Sequence, residues 1–331
     1  MTEVVTLGEC LVAFVATTPG PLAEATIFER FVAGAEANVA VGLARLGHSV
    51  AYIGRVGGDG FGQAITRRLR GEGIDITDLA IDPDAPTGLM FRERRVLGPS
   101  QVVYARRGSA GSRLTTAEVE RAMARYQDAA LLWLHLTGIT PALSADAHAA
   151  AERAIESATA AGLTISLDLN LRRRLWSDDA AAPVLRALAA NVHVLLGSPD
   201  ELAVLTHRTA DHDPVELARA ALELGPSVVV VKTGAAGAVA VDRAAPGDAI
   251  VRPAVPLPVV VDPVGAGDAF CAGFIAARLD GADLGTALEM GNACGAAAAS
   301  AVGDQTGLPD RAELAAILRA AADATSPDTI R

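Results

Sequence analysis

The chain has 331 residues, of which 51% are hydrophobic and 20% are charged, and its formal net charge at pH 7 is -11. This composition excludes a disordered chain and allows a large buried core. The acidic balance argues against general binding to nucleic acid or to an anionic membrane, because both require basic patches. No basic region precedes an apolar run at the N-terminus, and no uncharged run reaches about 18 apolar residues, so we expect a cytoplasmic protein.

The spacing of cysteines and histidines favours neither disulfides nor a metal site. Cys10, Cys271 and Cys294 lie far apart without a paired C-x-x-C spacing, and we expect them to be buried as small apolar residues. His207 and His212 are the histidines that lie close together. The Asp, Thr and Pro residues around them favour a solvated loop before a helix capped at Asp213.

Short β-branched runs alternate with alanine-rich amphipathic segments, which is typical of parallel strands joined by crossover helices. The predicted strands cover 4–9, 49–57, 131–139, 163–170, 192–198 and 227–234. The predicted helices lie near 36–46, 61–71, 115–126, 144–161, 179–190 and 213–224, with one long helix after residue 265 and another from about 283 to 302. Ligands of an open parallel sheet bind beyond the carboxyl ends of its strands, and these ends carry polar residues and glycines here. We therefore expect one cleft at that edge.

Residues 84–110 interrupt this alternation. Their apolar residues repeat at every second position with a turn at 98–100, which predicts a hairpin inserted into the α/β unit. We expect it to combine with residues 11–33 into a small β-sheet that covers the main domain as a lid. The proline-rich stretch 244–260 favours an edge strand or a loop. Since no interdomain linker interrupts the sequence, we predict a single domain over 1–331 that carries this lid.

The stretch DPVGAGDAF (262–270) places two glycines and an acid where the apolar pattern predicts the start of a buried helix. If the helix begins at about Ala266, the amides of Gly265, Ala266 and Gly267 point out of its first turn without an intrahelical acceptor and attract an anion. Asp268 stands beside them, where the helix dipole is expected to keep its carboxylate ionised. There it would accept a proton from a substrate hydroxyl. A tight turn followed by a helix-favouring acidic residue explains the same residues equally well.

Two common nucleotide motifs are absent from the sequence. The chain contains no Gly-Lys dipeptide, which excludes a Walker-type phosphate-binding loop. The dinucleotide fingerprint also fails, because Phe270 occupies the position of its third glycine. A dehydrogenase is therefore disfavoured.

Two signatures resemble those of the ribokinase-like (PfkB) carbohydrate kinases. DPVGAGDAFCAGF (262–274) is similar to their C-terminal signature, and VAGAEANVAVGLARLG (32–47) followed by GRVGGDGFG (54–62) is similar to their N-terminal one. Within the family, RRGSAGS (106–112) and DLNLRRRLW (168–176) most resemble the kinases of 2-keto-3-deoxygluconate. The resemblance implies a three-layer α/β sandwich with a mostly parallel sheet and a small β-sheet lid. It also implies ATP and Mg²⁺ as cofactors, K⁺ near the 265–267 loop, and a homo-oligomer built through the lid.

The resemblance further implies roles for individual residues. Asp268 would be the catalytic base, beside an anion hole formed by Gly265, Ala266 and Gly267. The sugar would be bound by Gly34, Asn38, Met90, Tyr104, Arg106, Ile139, Arg172 and Asp304. The nucleotide would be bound by Ser198, Lys232, Gly234, Ala235, Gly237 and Asn292, with Glu201 holding Mg²⁺ through water.

Simpler explanations exist for several of these residues. A substrate carboxylate entering an acidic protein needs a local guanidinium, which favours Arg106 and Arg172, although most arginine runs are solvated. Lys232 is the only lysine of the chain, and an ammonium group at a strand end suits either phosphate or solvent. Asn38 could be a helix-capping residue. Met90 stands where these kinases usually carry a tyrosine.

The sequence thus predicts an ATP-dependent kinase that phosphorylates the terminal hydroxyl of a small sugar acid, with 2-keto-3-deoxygluconate and its 6-phosphate as the first choice of substrate and product. Two alternatives stay open. One is a neutral-sugar kinase of the fructokinase or ribokinase type. The other is a regulator with the same fold that binds sugar or nucleotide without turnover.

Overall fold

The computed structural model describes residues 2–95, 101–126 and 130–325. In these residues the strands are β1 Val4–Leu7, β2 Leu11–Pro19, β3 Phe28–Ala33, β4 Val50–Gly57, β5 Leu79–Asp82, β6 Leu89–Arg94, β7 Val102–Ala105, β8 Trp133–Thr137, β9 Thr164–Asp168, β10 Val194–Gly197, β11 Val228–Lys232, β12 Ala238–Asp242 and β13 Ile250–Arg252. Nine of them form a central sheet in the order β13-β12-β11-β10-β9-β8-β1-β4-β5. The pairs from β5 to β11 are parallel, whereas β12 and β13 pair antiparallel at one edge. The strand order reverses between β1 and β8, which is where an open α/β sheet forms its ligand crevice.

Helices cover both faces of this sheet. Within the same residues they are α1 Ala35–Arg45, α2 Gly60–Gly71, α3 Thr116–Tyr126, α4 Ala145–Ala160, α5 Asp178–Ala189, α6 Pro199–Thr206, α7 Pro214–Leu222, α8 Ala266–Leu279, α9 Leu284–Ala299 and α10 Arg311–Thr325. The apolar residues of α1, α2, α8, α9 and α10 pack into one buried cluster with the sheet, and those of α3 to α7 pack into a second. Because both faces of the strands are buried, their sequences are continuous apolar runs such as VVVV in β11. The three-layer α/β sandwich expected from the sequence is confirmed.

A smaller sheet of four strands, in the order β3-β2-β6-β7, lies beside the carboxyl ends of the central strands. β6 and β7 pair antiparallel, as expected of a hairpin, and β6 also pairs with β2 in parallel. The turn predicted at 98–100 lies outside the described residues. This sheet is built from the two segments that the sequence analysis combined into a lid.

Four elements were not predicted from the sequence: β5, β12, α6 and α10. The start of α6 has a local signal that could have been used, because Ser198 and Glu201 form a capping box at its first turn. His207 ends this helix in the left-handed conformation, and the ring of His212 contacts the hydroxyl of Thr209 at 2.9 Å and lies 4.0 Å from the carboxylate of Asp211. The described residues contain no group of three or more His, Cys, Asp or Glu side chains that could hold a metal ion.

Other expectations about the chain can be compared with the structure directly. Cys10, Cys271 and Cys294 are free and buried, as predicted. The proline-rich stretch contributes the short edge strand β13, as predicted. None of the helices in the described ranges combines the length and the apolar character that a membrane crossing requires.

Candidate active site

A cleft of about 530 Å³ opens at the carboxyl ends of the central parallel strands. Asp168 at the end of β9 and Lys232 at the end of β11 contribute to its base. The loop before α8, with Gly265, forms one side, and the small sheet contributes Met90 and Tyr104 from the other. The cleft therefore collects residues from the edge of the sheet where the sequence predicted it.

The loop that precedes α8 has a conformation that only glycine adopts readily. Gly265 has a φ of 82°, in the left-handed region, directly before the first residue of the helix. A Cβ atom at Gly265 would also lie 2.8 Å from the backbone oxygen of Asp304. Both the backbone conformation and the close packing explain the first glycine of the GAG sequence.

The ammonium group of Lys232 lies beside the first turn of α8. The Ala266 amide donates to the carbonyl of Pro263 at 3.3 Å, a long hydrogen bond, so the expectation that all three amides lack an acceptor is too simple. The amide of Gly267, in the first turn, has no intrahelical acceptor. A Cβ atom on Gly267 would lie 3.4 Å from Nζ of Lys232, which means that the ammonium group lies over this turn. An anion at this point would meet backbone amides on one side and Lys232 on another.

Asp268 is almost completely buried in the cleft, with 7% of its surface exposed. Its Oδ2 accepts a hydrogen bond of 2.8 Å from Nδ2 of Asn38, and its Oδ1 accepts one of 3.3 Å from Nδ2 of Asn170. Burial raises the pKa of Asp268 to about 7, although Asn38 and the positive charge of Arg172 lower it. Desolvation of the buried carboxylate therefore opposes the first-turn dipole, and at neutral pH Asp268 is ionised in only part of the molecules.

Lys232 forms a buried ion pair with Asp168, with 2.6 Å between Nζ and Oδ2. Burial lowers the pKa of Lys232, but its neighbours Asp168, Cys271 and Glu201 together raise it by more, so the net pKa lies above its usual value and the group stays charged. The other oxygen of Asp168, Oδ1, is buried without a hydrogen-bond partner. Glu201 accepts 2.8 Å hydrogen bonds from the amides of Ser198 and Leu171, and burial together with Asp168 raises its pKa.

The two arginines predicted to bind a substrate carboxylate differ in their surroundings. Arg106 is buried, donates from Nε to Oε2 of Glu9 at 2.7 Å, and lies 5.4 Å from the centre of the Tyr104 ring. Arg172 is exposed at the cleft, and its guanidinium has no hydrogen bond or ion pair with the described residues. Arg172 is therefore the guanidinium that is free to take a new anionic partner.

A second buried ion pair at the cleft was not predicted. Arg92 of β6 donates to both oxygens of Asp262, with distances of 2.6 Å and 2.5 Å. Asp262 also accepts from the amides of Val264 and Gly303 at 3.2 Å each. This pair connects the small sheet to the loop before α8. Its members are 170 residues apart, and no local pattern could have joined them.

Glu36 is a further cleft residue that sequence reasoning missed. Its Oε1 accepts hydrogen bonds from the hydroxyls of Thr137 at 2.8 Å and Thr140 at 2.7 Å, whereas its Oε2 is buried without a partner. Burial raises the pKa of Glu36. Asn170 was missed as well, although a polar residue two positions beyond the end of β9, with a left-handed φ of 37°, is a feature that functional sites often show.

Most of the predicted site residues line this one cleft. They are Gly34, Asn38, Met90, Tyr104, Arg106, Ile139, Arg172, Ser198, Glu201, Lys232, Gly234, Gly265, Ala266, Gly267, Asp268 and Asp304. Ala235, Gly237 and Asn292 are not among its lining residues. A Cβ atom at Gly237 would lie 2.1 Å from the Arg252 carbonyl, and Nδ2 of Asn292 donates to the carbonyls of Arg252 and Pro253 at 3.1 Å and 3.0 Å. Contacts with Arg252 and Pro253, at the end of β13, thus explain the residue types at positions 237 and 292 without a nucleotide.

Comparison with known proteins identifies relatives over almost the whole chain. The family model described as pfkB family carbohydrate kinase matches residues 1–311. The 2-dehydro-3-deoxygluconokinase of Thermoproteus tenax is 39% identical over 97% of this chain and 95% of its own length, and that of Bacillus subtilis is 38% identical over 96% of each. Among solved structures, an E. coli protein assigned as ribokinase II, in complex with ATP and Mg²⁺, superposes with a TM-score of 0.87 at 27% identity and covers 97% of this chain and 100% of its own.

Proposed function

The chain belongs to the pfkB family of carbohydrate kinases, and from this membership we propose that it transfers the terminal phosphoryl group of ATP to the 6-hydroxyl of 2-keto-3-deoxygluconate, which is also called 2-dehydro-3-deoxygluconate. The observation that carries the proposal is the arrangement of Asp268. This carboxyl group lies in the same cleft as the amide of Gly267 and the ammonium group of Lys232. A proton acceptor and an anion-binding element side by side are the two components that phosphoryl transfer to an alcohol requires.

Asp268 would act on the acceptor hydroxyl. A carboxyl group whose pKa is about 7 is ionised in a large fraction of molecules at neutral pH and is basic enough to accept a proton efficiently. It would hold the hydroxyl through one oxygen and take its proton as the bond from oxygen to phosphorus forms. The bond between this phosphorus and the bridging oxygen of ATP breaks, and the electron pair stays with ADP.

The start of α8 and Lys232 would stabilise the charge on the transferring group. The Gly267 amide belongs to the first turn, where the helix dipole favours negative charge, and Nζ of Lys232 adds a full positive charge. Because Lys232 is held at 2.6 Å by Asp168, its position does not depend on the nucleotide. Each of these elements is expected to contribute about 2 to 4 kcal/mol to the barrier reduction.

The kinases of this family use ATP together with Mg²⁺, and the residues of the cleft fit such an ion. Asp168 presents a buried oxygen without a hydrogen-bond partner. Glu201 lies close enough that the charge of Asp168 raises the pKa of Glu201. We propose that these two carboxylates hold the ion through water. When bound, Mg²⁺ neutralises charge on the phosphate oxygens, and few protein ligands are needed because it keeps several waters.

The residues around the loop before α8 do not fit K⁺ well, because the acidic side chain there, Asp262, already has other partners. Both oxygens of Asp262 are occupied by the guanidinium of Arg92, and amides of the loop take the remaining directions. We propose that Arg92 already supplies the positive charge at this position, so that turnover does not require K⁺. Replacing K⁺ by tetramethylammonium should leave kcat unchanged, whereas Arg92→Gln should lower kcat and make it respond to K⁺. A strict K⁺ requirement of the unmodified protein would contradict the proposal.

Substrate choice is the part of the proposal that an assay tests directly. ADP formation would be measured with 2-keto-3-deoxygluconate, 2-keto-3-deoxygalactonate, fructose and ribose, each at a series of concentrations. We expect the highest kcat/KM for a sugar acid, because Arg172 and Arg106 offer guanidinium groups at the cleft. Equal use of fructose would favour the neutral-sugar kinase. No phosphorylated product with any of the four would favour the regulator that binds without turnover.

Three further points belong to the same proposal. The chain would work as a single kinase domain over 1–331, in which the sheet from 11–33 and 84–110 closes over the sugar and excludes water. It would form a homo-oligomer through this sheet, where Val103 is 43% exposed and Ile27 at its border is 65% exposed. It would act in the cytoplasm. Light scattering of the purified protein tests the oligomer. The variants for this test carry aspartate, rather than alanine, at Val103 or Ile27, because a charge opposes burial in an interface.

A further inference from the structure

A chain of hydrogen bonds reaches Asp268 from the surface of α2. Nε of Arg68 donates to Oε1 of Gln305 at 3.2 Å, and Nε2 of Gln305 donates to Oδ1 of Asn38 at 3.1 Å. Nδ2 of Asn38 then donates to Oδ2 of Asp268 at 2.8 Å. Each amide in this chain accepts at one end and donates at the other, so the direction of every bond is set by the arginine.

Gln305 is held firmly enough to serve as a link. Only 4% of its surface is exposed. The guanidinium of Arg45 donates to the Gln305 carbonyl at 3.2 Å and to the Leu308 carbonyl at 2.7 Å, which fixes the backbone at these two residues. The side chain itself does not line the cleft, so it touches neither sugar nor nucleotide.

The orientation of the Asn38 amide decides whether the ionised or the protonated form of Asp268 is stabilised. With Nδ2 towards Asp268, the amide donates a hydrogen bond that favours the ionised carboxylate. If the amide were reversed, its oxygen would face the carboxylate, and this arrangement is stable only when Asp268 is protonated. Gln305 prevents the reversal, because its NH₂ group must meet an acceptor on Asn38.

We propose that Gln305 is a positioning residue for the phosphoryl transfer: by donating to Asn38, it keeps the Asn38 amide turned so that Asp268 remains available as a proton acceptor. This inference rests on the proposed function, since it concerns the same base. It adds a residue that makes no contact with either substrate.

Other charged groups near Asp268 act on it in both directions. Arg172 and Lys232 lower its pKa, whereas Asp168 raises it. Asp304 accepts a hydrogen bond from the same Asn38 amide at 3.4 Å. Asp304 is the chain neighbour of Gln305, but no hydrogen bond joins the side chain of Gln305 to Asp304, Arg172, Lys232 or Asp168 in the described residues, so the isosteric substitutions change the Asn38 contribution to the pKa of Asp268 first.

The test compares two isosteric variants with the unmodified protein. In Gln305→Glu, a carboxylate replaces the donor, accepts from Arg68 as before, and favours the reversed Asn38 amide. In Gln305→Met, the donor is lost without a new charge. Gln63→Glu on the exposed side of α2 is the matched charge control. We expect the lower limb of the pH profile of kcat/KM to move upward by roughly one pH unit in Gln305→Glu and less in Gln305→Met.

Such a displacement lowers kcat/KM about fivefold at pH 7 and leaves it nearly unchanged at pH 9. A purely structural role would lower the activity by the same factor at every pH. If the Gln305 variants fold poorly, Arg68→Met tests the same chain of hydrogen bonds, because this partly exposed position should tolerate the substitution. It should move the pH profile in the same direction.

A second readout does not depend on turnover. The carboxyl ¹³C resonance of Asp268, in protein labelled at aspartate and assigned with Asp268→Asn, reports its titration midpoint directly. An upward displacement of this midpoint in Gln305→Glu supports the inference even if the sugar is unknown. An unchanged midpoint overturns it, whether or not the protein is a kinase. Absence of phosphorylation by the unmodified protein would instead refute the proposed function alone.

Discussion

The burial of the Asp268 carboxyl group predicts how the free energy of unfolding depends on pH, in addition to its effect on activity. Because burial raises its pKa from 3.8 to about 7, the folded protein binds a proton here more tightly than the unfolded chain does. The stabilising contribution of this group is complete below the unfolded value and is lost as the pH rises through the folded value. The separation of the two values corresponds to roughly 4 kcal/mol, of which about 3 kcal/mol is lost between pH 5 and pH 8.

Asp268→Asn removes this dependence, because the amide does not titrate and still offers an oxygen to the Asn38 amide. We expect the free energy of unfolding of the variant, relative to that of the unmodified protein, to rise by about 3 kcal/mol between pH 5 and pH 8. Turnover should fall by about 100-fold or more, since the proton acceptor is lost. The variant would thus gain stability relative to the unmodified protein as the pH rises, while being inactive.

Urea unfolding at pH 5 and pH 8, followed by circular dichroism, measures both free energies, and the slope with denaturant should be the same for the two proteins. Glu156→Gln is the control, because Glu156 is 62% exposed and its substitution should have the same effect at both pH values. If the difference between Asp268→Asn and the unmodified protein did not change with pH, the carboxyl group would not be desolvated as the structure shows. Ordinary turnover of the variant would refute its role as the base.

Three other substitutions test the remaining parts of the site. Arg172→Ala should raise KM for the sugar acid and leave KM for a neutral sugar unchanged, with the exposed Arg174→Ala as control in the same steady-state assay. Lys232→Met should lower the free energy of unfolding by about 3 kcal/mol, because it leaves a buried carboxylate without its partner, and urea titration would show whether it does. Gly265→Ala should cost more stability than Gly281→Ala and should lower kcat, since both glycines have φ near 80° but only Gly265 lacks room for a methyl group. Equal thermal stability of the two glycine variants would contradict the packing explanation.

The element order and the start of α8 followed from local features of the sequence. The apolar runs of the strands and the alanine-rich helical segments differ in period, and this difference alone distinguishes parallel strands from crossover helices. Gly265 marks the beginning of α8 because the backbone there adopts a conformation that other residues avoid. β5 and β12 were missed although they are as long as the predicted strands β1 and β8, because both contain alanine, which is depleted in strands.

The chemistry of the cleft depended on residues that are distant in sequence. Asp268 was expected to be ionised because its neighbours in the chain are helix amides, but in the folded protein 7% of it is exposed and its pKa is about 7. The pairs Arg92 with Asp262 and Gln305 with Asn38 are separated by 170 and 267 residues.

The sequence by itself thus determined most strands of the sheet, their crossover helices and the glycine turn before α8, because each is encoded within about ten consecutive residues by periodicity and by glycine. Only the tertiary structure decided the protonation of Asp268 and the partners of the charged groups. Desolvation and ion pairing depend on which distant segments exclude water from a side chain, and that property exists only once the chain has folded.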